Sequence, residues 1–171
     1  MSTGFALAGC NDAGIVPSQH LRFDVKLTPA QARADMVTRS DDIEAFLGGE
    51  WQNQDNLIAT ACDRRRGYYY HGVRNRHEAV KDQASAATRL EKHWRAQGYE
   101  TTRQRFRDDY LLRAVAPNGT VINISLGDGY TDFQTDGPCL AGDWVAISDD
   151  DFANHRNDFP RNPMPTPAPT E

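Results

Sequence analysis

Hydrophobic positions along the chain first recur with the spacing of α-helices and later with the two-residue period of β-strands. Thr28-Pro29 predicts a helix start, because a hydroxyl side chain caps the first turn and proline suits its first position. Gly48-Gly49 predicts the end of that helix. A second helix is predicted over about residues 78–97. Its apolar face carries Val80, Ala84, Ala87, Leu90 and Trp94.

Segments with β-strand character flank the second helix. They comprise residues 51–62, which turn from irregular to strand, and then 68–73, 100–107, 110–116, 121–126 and 130–134. Asn118-Gly119 predicts a hairpin turn, because both residue types tolerate positive φ angles. Helices followed by a meander of strands indicate an α+β domain. We therefore predict a two-layer sandwich in which two helices pack on one face of an antiparallel sheet.

The predicted domain spans residues 28–147. Residues 1–10 are interpreted as a truncated leader and residues 11–27 as a tether. The segment 148–171 begins with Asp149-Asp150-Asp151 and continues into a proline-rich stretch. Because such a composition offers little apolar surface to bury, we predict a solvated acidic linker followed by a mobile tail.

Composition and charge narrow the class of protein. The chain has 171 residues and a formal net charge of -5, which argues against a general nucleic-acid binder. No run approaches the roughly 18 apolar residues that a membrane span needs. The charge is unevenly placed, because residues 64–107 hold twelve Lys and Arg against four Asp and Glu. This basic block within an acidic chain indicates a surface for an anionic partner.

The basic block contains two groups of arginines. One precedes the aromatic segment Tyr68-Tyr69-Tyr70, and the other alternates along a predicted strand, so that its members share one face. The two groups are Arg64, Arg65 and Arg66, and Arg103, Arg105 and Arg107. Together with Arg89, Lys92 and Arg95 on the second helix, they predict a surface for lipid headgroups, an anionic envelope polymer or an acidic protein. The alternative is a solvated face neutralised by the acidic segments around it.

The N-terminal motif Leu7-Ala8-Gly9-Cys10 is typical of a lipobox, in which the cysteine is acylated and becomes the first mature residue. Small residues before Cys10 let the peptidase reach the backbone, and the thiol carries the lipid. The charged and long apolar segments that normally precede such a motif are not part of this sequence. The alternative is a free cysteine in a short leader.

If Cys10 carries a lipid, Cys62 and Cys139 remain. Export would leave this pair oxidised, whereas two buried reduced thiols are the cytosolic alternative. A disulfide closing a loop of about 80 residues is worth at most about 4.5 kcal/mol in the chain-entropy model. That contribution is comparable to the whole stability of a small domain.

The order of these features resembles small actinobacterial cell-envelope lipoproteins of the LppA-like type over roughly residues 28–142. The features that carry the resemblance are Cys10, a helix, Cys62, an amphipathic helix with Trp94 and Gly98-Tyr99, the Asn118-Gly119 hairpin and Gly137-Pro138-Cys139. The resemblance implies an exported protein held on the extracellular face of the membrane by a lipid on Cys10. It carries over no catalytic residues.

Motifs for hydrolases, nucleotide binding and metalloproteases are missing from the sequence, and the five histidines show no ligand spacing. We therefore predict no catalysis, no cofactor and no metal site. Glu91 lies on the apolar side of the second helix, where it is either a buried acid or a residue of the helix flank, and we favour the flank. The leading hypothesis is a lipid-anchored envelope protein with a binding or structural role. A second is a secreted small-ligand carrier, with a pocket lined by Tyr68, Tyr70, Trp94 and Phe106. An immunity or exclusion lipoprotein of a mobile element is an alternative to the leading hypothesis with the same physical features.

Overall fold

Helices and one antiparallel sheet make up the computed structural model, which describes residues 25–62, 67–155 and 158. In chain order the elements are α1 (Pro29–Leu47), β1 (Gln52–Asn53), β2 (Asn56–Ala61), β3 (Tyr68–Arg76), α2 (Gln83–Ala96), β4 (Glu100–Phe106), β5 (Asp109–Val115), β6 (Val121–Leu126), β7 (Thr131–Asp136) and α3 (Trp144–His155).

The sheet has the order β1-β3-β7-β6-β5-β4, and β2 pairs with β3 beside β1. All neighbouring strands are antiparallel. In the described part of the chain, β4 therefore forms one edge of the sheet, and β1 with β2 forms the other. The predicted α+β class and antiparallel sheet are confirmed. Helices α1 and α2 pack on the same face of the sheet, because Ile43 of α1 belongs to the same core cluster as Leu90 and Trp94 of α2.

Local signals explain where the two predicted helices begin. Thr28 and Gln31 form a reciprocal capping box at the start of α1, as the Thr28-Pro29 pair predicts. The second helix begins later than predicted, at Gln83, because the Asp82 side chain caps it by accepting from the Ser85 N–H. The segment from residue 78 to 82 is therefore not helical.

The predicted solvated linker at Asp149-Asp150-Asp151 is wrong. These residues belong to α3, a third helix that packs against β2 and extends the folded domain past residue 147. The Asp151 side chain is buried and accepts hydrogen bonds from Tyr70 Oη at 2.6 Å and the Ala59 N–H at 3.0 Å. A buried carboxylate with such partners ties a helix to a sheet, which the acidic run alone does not indicate. The proline-rich part of the predicted tail lies outside the described residues.

Two apolar clusters form the core between the helices and the sheet. The larger one lies beneath α2 and includes Leu90, Trp94, Leu112 and Phe133. The smaller one lies beneath α1 and α3 and includes Ala32, Met36, Tyr68, Tyr70 and Leu140. Gly72 on β3 lets α1 approach closely, because a Cβ at this position would lie 2.6 Å from the Met36 sulfur.

The predicted disulfide between Cys62 and Cys139 is confirmed. It joins the end of β2 to the segment after β7, with a Cα–Cα distance of 6.0 Å. Both cysteines are buried. The bond lies next to a backbone bridge between Tyr68 and Leu140, so it closes the end of the domain where β2 and β3 meet this segment.

Candidate binding surface at the β4 edge

The predicted arginine row lies on the β4–β5 hairpin at the edge of the sheet. Arg103 and Arg105 point to the helix-covered face of β4, because their partners Leu112 and Tyr110 face the α2 core. The prediction that Arg107 continues the row is wrong, since β4 ends at Phe106. Residues 107 and 108 form the two-residue turn that joins β4 to β5. Residues 64–66, the other predicted arginines, lie outside the described residues.

Each arginine of the hairpin rests on a neighbouring side chain. The Arg103 Nη1 donates to Thr88 Oγ1 at 3.1 Å. The guanidinium of Arg105 lies 5.5 Å from the centre of the Tyr110 ring. That of Arg107 lies 5.4 Å from the centre of the Phe106 ring, which is itself 58% exposed. These cation–π contacts hold the charges in place while leaving them at the surface.

Helix α2 adds to the basic surface through Arg95. Its Nε donates to Thr101 Oγ1 on β4 at 2.8 Å. The prediction that Glu91 lies on a helix flank is wrong, because Glu91 is buried between this arginine and Arg103, each 3.5 Å from one of its carboxylate oxygens. Glu91 therefore holds two cations at the edge of the sheet. Arg89 and Lys92 are exposed on the same helix.

The backbone of β4 also presents free hydrogen-bonding groups. The Ala116 N–H donates to the Thr120 carbonyl at 2.8 Å, so the even-numbered residues of β5 bond towards β6 and the odd-numbered ones towards β4. By the register of the pair, residues 100, 102, 104 and 106 bond to β5. The N–H and C=O groups of Thr101, Arg103 and Arg105 consequently point away from the sheet. Among the described residues, no strand pairs with this edge.

We name this surface the basic edge. It comprises the outward backbone groups of β4 and the side chains of Arg95, Arg103, Arg105 and Arg107. Apart from Thr101, every residue of β4 is exposed. The basic edge thus combines a row of cations with unpaired donors and acceptors, an arrangement that can bind an anionic partner.

The predicted pocket does not form. Tyr68 and Tyr70 belong to the cluster beneath α1 and α3, whereas Trp94 belongs to the cluster beneath α2. Phe106 is exposed at the end of the basic edge. The four side chains are divided because the two clusters lie under different helices, so they cannot line one cavity.

Sequence reasoning missed a buried ionic cluster at β3. Arg74 is 2% exposed and binds Asp55 through its Nε at 2.8 Å and its Nη2 at 2.5 Å. Its Nη1 also donates to Glu44 on α1 at 2.5 Å. Burial by itself lowers the pKa of Arg74, but the hydrogen bonds to these two carboxylates hold it above its ordinary value. Arg74 is therefore a permanent cation that joins α1 to the sheet.

A second buried ionic cluster surrounds Asp151 on α3. Arg33 on α1 donates to one carboxylate oxygen of Asp151 at 2.5 Å, and Tyr70 donates to the other. Burial and then the hydrogen bond to Asp151 raise the pKa of Tyr70. Part of the signal for the Arg74 cluster is in the sequence, because Arg74 shares the period-two positions of one strand face with Tyr68 and Tyr70. An arginine at such a position needs a buried partner.

Comparisons with known proteins identify no family for this chain and one similar crystal structure. No protein-family model and no curated protein matches the chain. A crystal structure of a DUF4853 family protein from Actinomyces odontolyticus is similar over 71% of each chain, with 12% identity and a TM-score of 0.45. That similarity is too low to support an argument about function. Within the described residues, no helix is long and apolar enough to cross a membrane.

Proposed function

We propose that this chain is an exported envelope protein, anchored by a lipid on Cys10, whose domain binds an anionic partner through the basic edge. The observation that carries the proposal is the disulfide between Cys62 and Cys139. Disulfides form and persist outside the reducing cytoplasm, so a buried bond of this kind favours an exported protein. The anchor at Cys10 rests on the lipobox-like motif, which lies outside the described residues.

The contrast between buried and exposed charges supports a binding role. Arg74 and Asp151 lie inside the domain and bind oppositely charged side chains that hold helices to the sheet. Arg105 and Arg107, by contrast, are held at the surface over aromatic rings, and the ion pair of Arg105 with Asp108 at 3.9 Å is exposed to solvent. Exposed cations beside free backbone groups attract an anionic partner, and salt weakens that attraction.

Thiol titration of the full-length protein isolated from its host tests export. We expect no more than one free thiol without reductant and, if Cys10 is acylated, two with it. Three free thiols without reductant would contradict both the anchor and the disulfide. Mass spectrometry of the N-terminal peptide, compared with a Cys10→Ala variant, checks the lipid. Membrane association should be lost in that variant.

Binding to anionic vesicles and to an anionic polymer tests the basic edge. We expect Arg105→Gln/Arg107→Gln to weaken binding, since two cations are removed from the surface. The matched control is Lys26→Gln/Lys81→Gln, which removes the same charge from exposed positions outside the basic edge. Equal binding of the two double variants would show that net charge, and not this surface, determines association.

A further inference from the structure

The basic edge can pair with an additional β-strand as well as attract an anionic group. Thr101, Arg103 and Arg105 point their N–H and C=O groups outward, and the side chains of the same three residues lie on one face of the sheet. A strand added at this edge would place every second side chain beside these residues. The outward backbone groups and the arginine side chains can therefore bind the same segment of a partner.

We propose that the basic edge binds an extended peptide segment of a partner protein that carries carboxylates at alternate positions, as an additional strand beside β4. This inference rests on the proposed function, because it assigns the class of partner to the same surface. Backbone hydrogen bonds hold such a segment in place, and the side-chain pattern selects it.

Charge complementarity determines which side chains a partner strand should carry on the face that it shares with Arg103 and Arg105. Residues opposite Arg103 and Arg105 would lie about 5 Å from them, a separation at which opposite charges attract and like charges repel. Both arginines project from the edge, with 37% and 61% of their side chains exposed. Carboxylates two residues apart on the partner strand would meet them.

The residues on the other face of β4 determine which side chains the partner strand should carry at its remaining positions. Thr102, Gln104 and Phe106 lie there, and Leu111 stands opposite Gln104 on β5. Phe106 and Leu111 are both exposed. Uncharged or apolar side chains on the partner would cover them. The preferred segment therefore alternates acidic with apolar residues.

A second copy of this chain is a poor occupant for the same edge. Antiparallel pairing of β4 with its copy about a twofold axis at Arg103 would place Arg103 against Arg103. An axis at Gln104 would place Arg103 against Arg105. Like charges directly opposite each other destabilise a strand pair, so the arginines select against self-pairing and favour an acidic strand.

The turn that follows β4 supports a role for this hairpin in binding. Arg107 has a φ of +56° at the first position of the two-residue turn, where glycine is the favoured residue. A non-glycine residue in this conformation costs roughly 1 kcal/mol. The hairpin therefore carries a cation at a position where the backbone conformation favours glycine, and strained residues of this kind cluster at binding sites.

Hydrogen exchange of the full domain with a synthetic peptide tests the inference. The probe is a nine-residue peptide that alternates glutamate with valine or threonine, and its controls are a peptide with glutamine in place of glutamate and a backbone N-methylated copy. We expect the amides of Thr101, Arg103 and Arg105 to become protected, whereas those of Thr102 and Gln104 already bond to β5. Both control peptides should bind at least about fivefold more weakly, since the glutamine peptide lacks the carboxylates and the N-methylated copy lacks the backbone N–H donors.

The protein variant Arg105→Gln should bind the glutamate peptide about threefold to tenfold more weakly, whereas Lys81→Gln should bind it as the native chain does. Peptide binding without protection of the three outward amides would overturn the inference, as would equal affinity for the N-methylated copy. Protection that grows with protein concentration in the absence of peptide would identify a second copy as the occupant and would also overturn it.

The two proposals fail in different ways. If the chain binds anionic vesicles through Arg105 and Arg107 but does not bind the peptide, the proposed function stands and the strand inference is wrong. If it binds neither anionic vesicles, nor the polymer, nor the peptide, the proposed binding role and the strand inference are both wrong, whereas the proposal of export still rests on the disulfide. If the peptide protects the three amides and vesicles do not bind, the anionic partner is a protein segment, as proposed here.

Discussion

Helices α1 and α2 lie on the same face of the sheet, yet different interactions hold them there. Helix α2 buries Ala86, Ala87, Leu90 and Trp94, each at most 1% exposed, against apolar side chains of the sheet. Helix α1 buries the apolar side chains of Ala32, Met36 and Ile43 and is held in addition by polar contacts. The side chains that make them are Arg33, Asp35, Arg39, Ser40, Asp41 and Glu44.

This difference teaches that two helices of one layer can depend on different physics. Apolar burial is non-directional and adds up with the area removed from water. A buried ion pair gains its attraction only if the geometry is good, because two charges first lose their hydration. The polar part of the α1 attachment therefore depends on particular partners, whereas the attachment of α2 depends mainly on filling a volume.

The α2 attachment should break when its largest side chain is removed. We expect Trp94→Ala to lower the free energy of unfolding by about 4 kcal/mol, because the indole is fully buried and leaves a cavity. Urea unfolding at several pH values checks this, and the loss should not depend on pH. The exposed Lys92→Ala on the same helix is the control. A loss below about 1 kcal/mol for Trp94→Ala would show that α2 contributes little to the core.

The α1 attachment should break when one charge of its central pair is removed. We expect Arg74→Met to cost about 3 kcal/mol, because Asp55 stays buried without its cation. The double variant Arg74→Met/Asp55→Leu should recover at least half of this loss, since the fully buried Asp55 charge is removed as well and Glu44, the other partner of Arg74, is partly exposed to water. Urea unfolding of the single and double variants forms the double-mutant cycle. A double variant no more stable than Arg74→Met would argue that packing, and not the ion pair, holds α1.

Asp132 on β7 offers a smaller test of how burial affects a charge, because its carboxylate is partly buried near a second carboxylate. Burial and then the nearby Asp109 raise the pKa of Asp132. The folded protein therefore holds this proton to a higher pH than the unfolded chain, and stability falls as pH rises through that window. We expect Asp132→Asn to gain less than about 1 kcal/mol at pH 7 and nothing below about pH 3.5. Thermal unfolding across this range checks the sign.

Hydrophobic patterning predicted the sheet better than the helices. The prediction for residues 121–126 matches β6, and the Asn118-Gly119 turn lies where the sequence places it, with Gly119 at a φ of +88°. The α3 helix was missed because three consecutive aspartates are typical of a solvated segment. Asp151 is buried because Arg33 and Tyr70 reach it from residues far away in the chain.

For the candidate site, the sequence predicted the arginine row but not its setting. Alternation placed Arg103 and Arg105 on one face, which the register of β4 with β5 confirms. It extended the row to Arg107, because a two-residue turn cannot be distinguished from a continuing strand by charge alone. That β4 is an edge strand depends on the order of the sheet, which no local pattern encodes.

The sequence by itself determined the α+β class, the strands of the meander and the amphipathic face of α2, and it indicated the partners of the disulfide on the condition that Cys10 is set aside. These features follow from periodicity, turn chemistry and the count of cysteines. Only the tertiary structure decided which charges are buried, which strand is left at the edge and how the aromatic residues are divided between two clusters. Those outcomes depend on pairs of residues distant in the chain, and the free energy of a buried charge or an open strand edge is set by its partner.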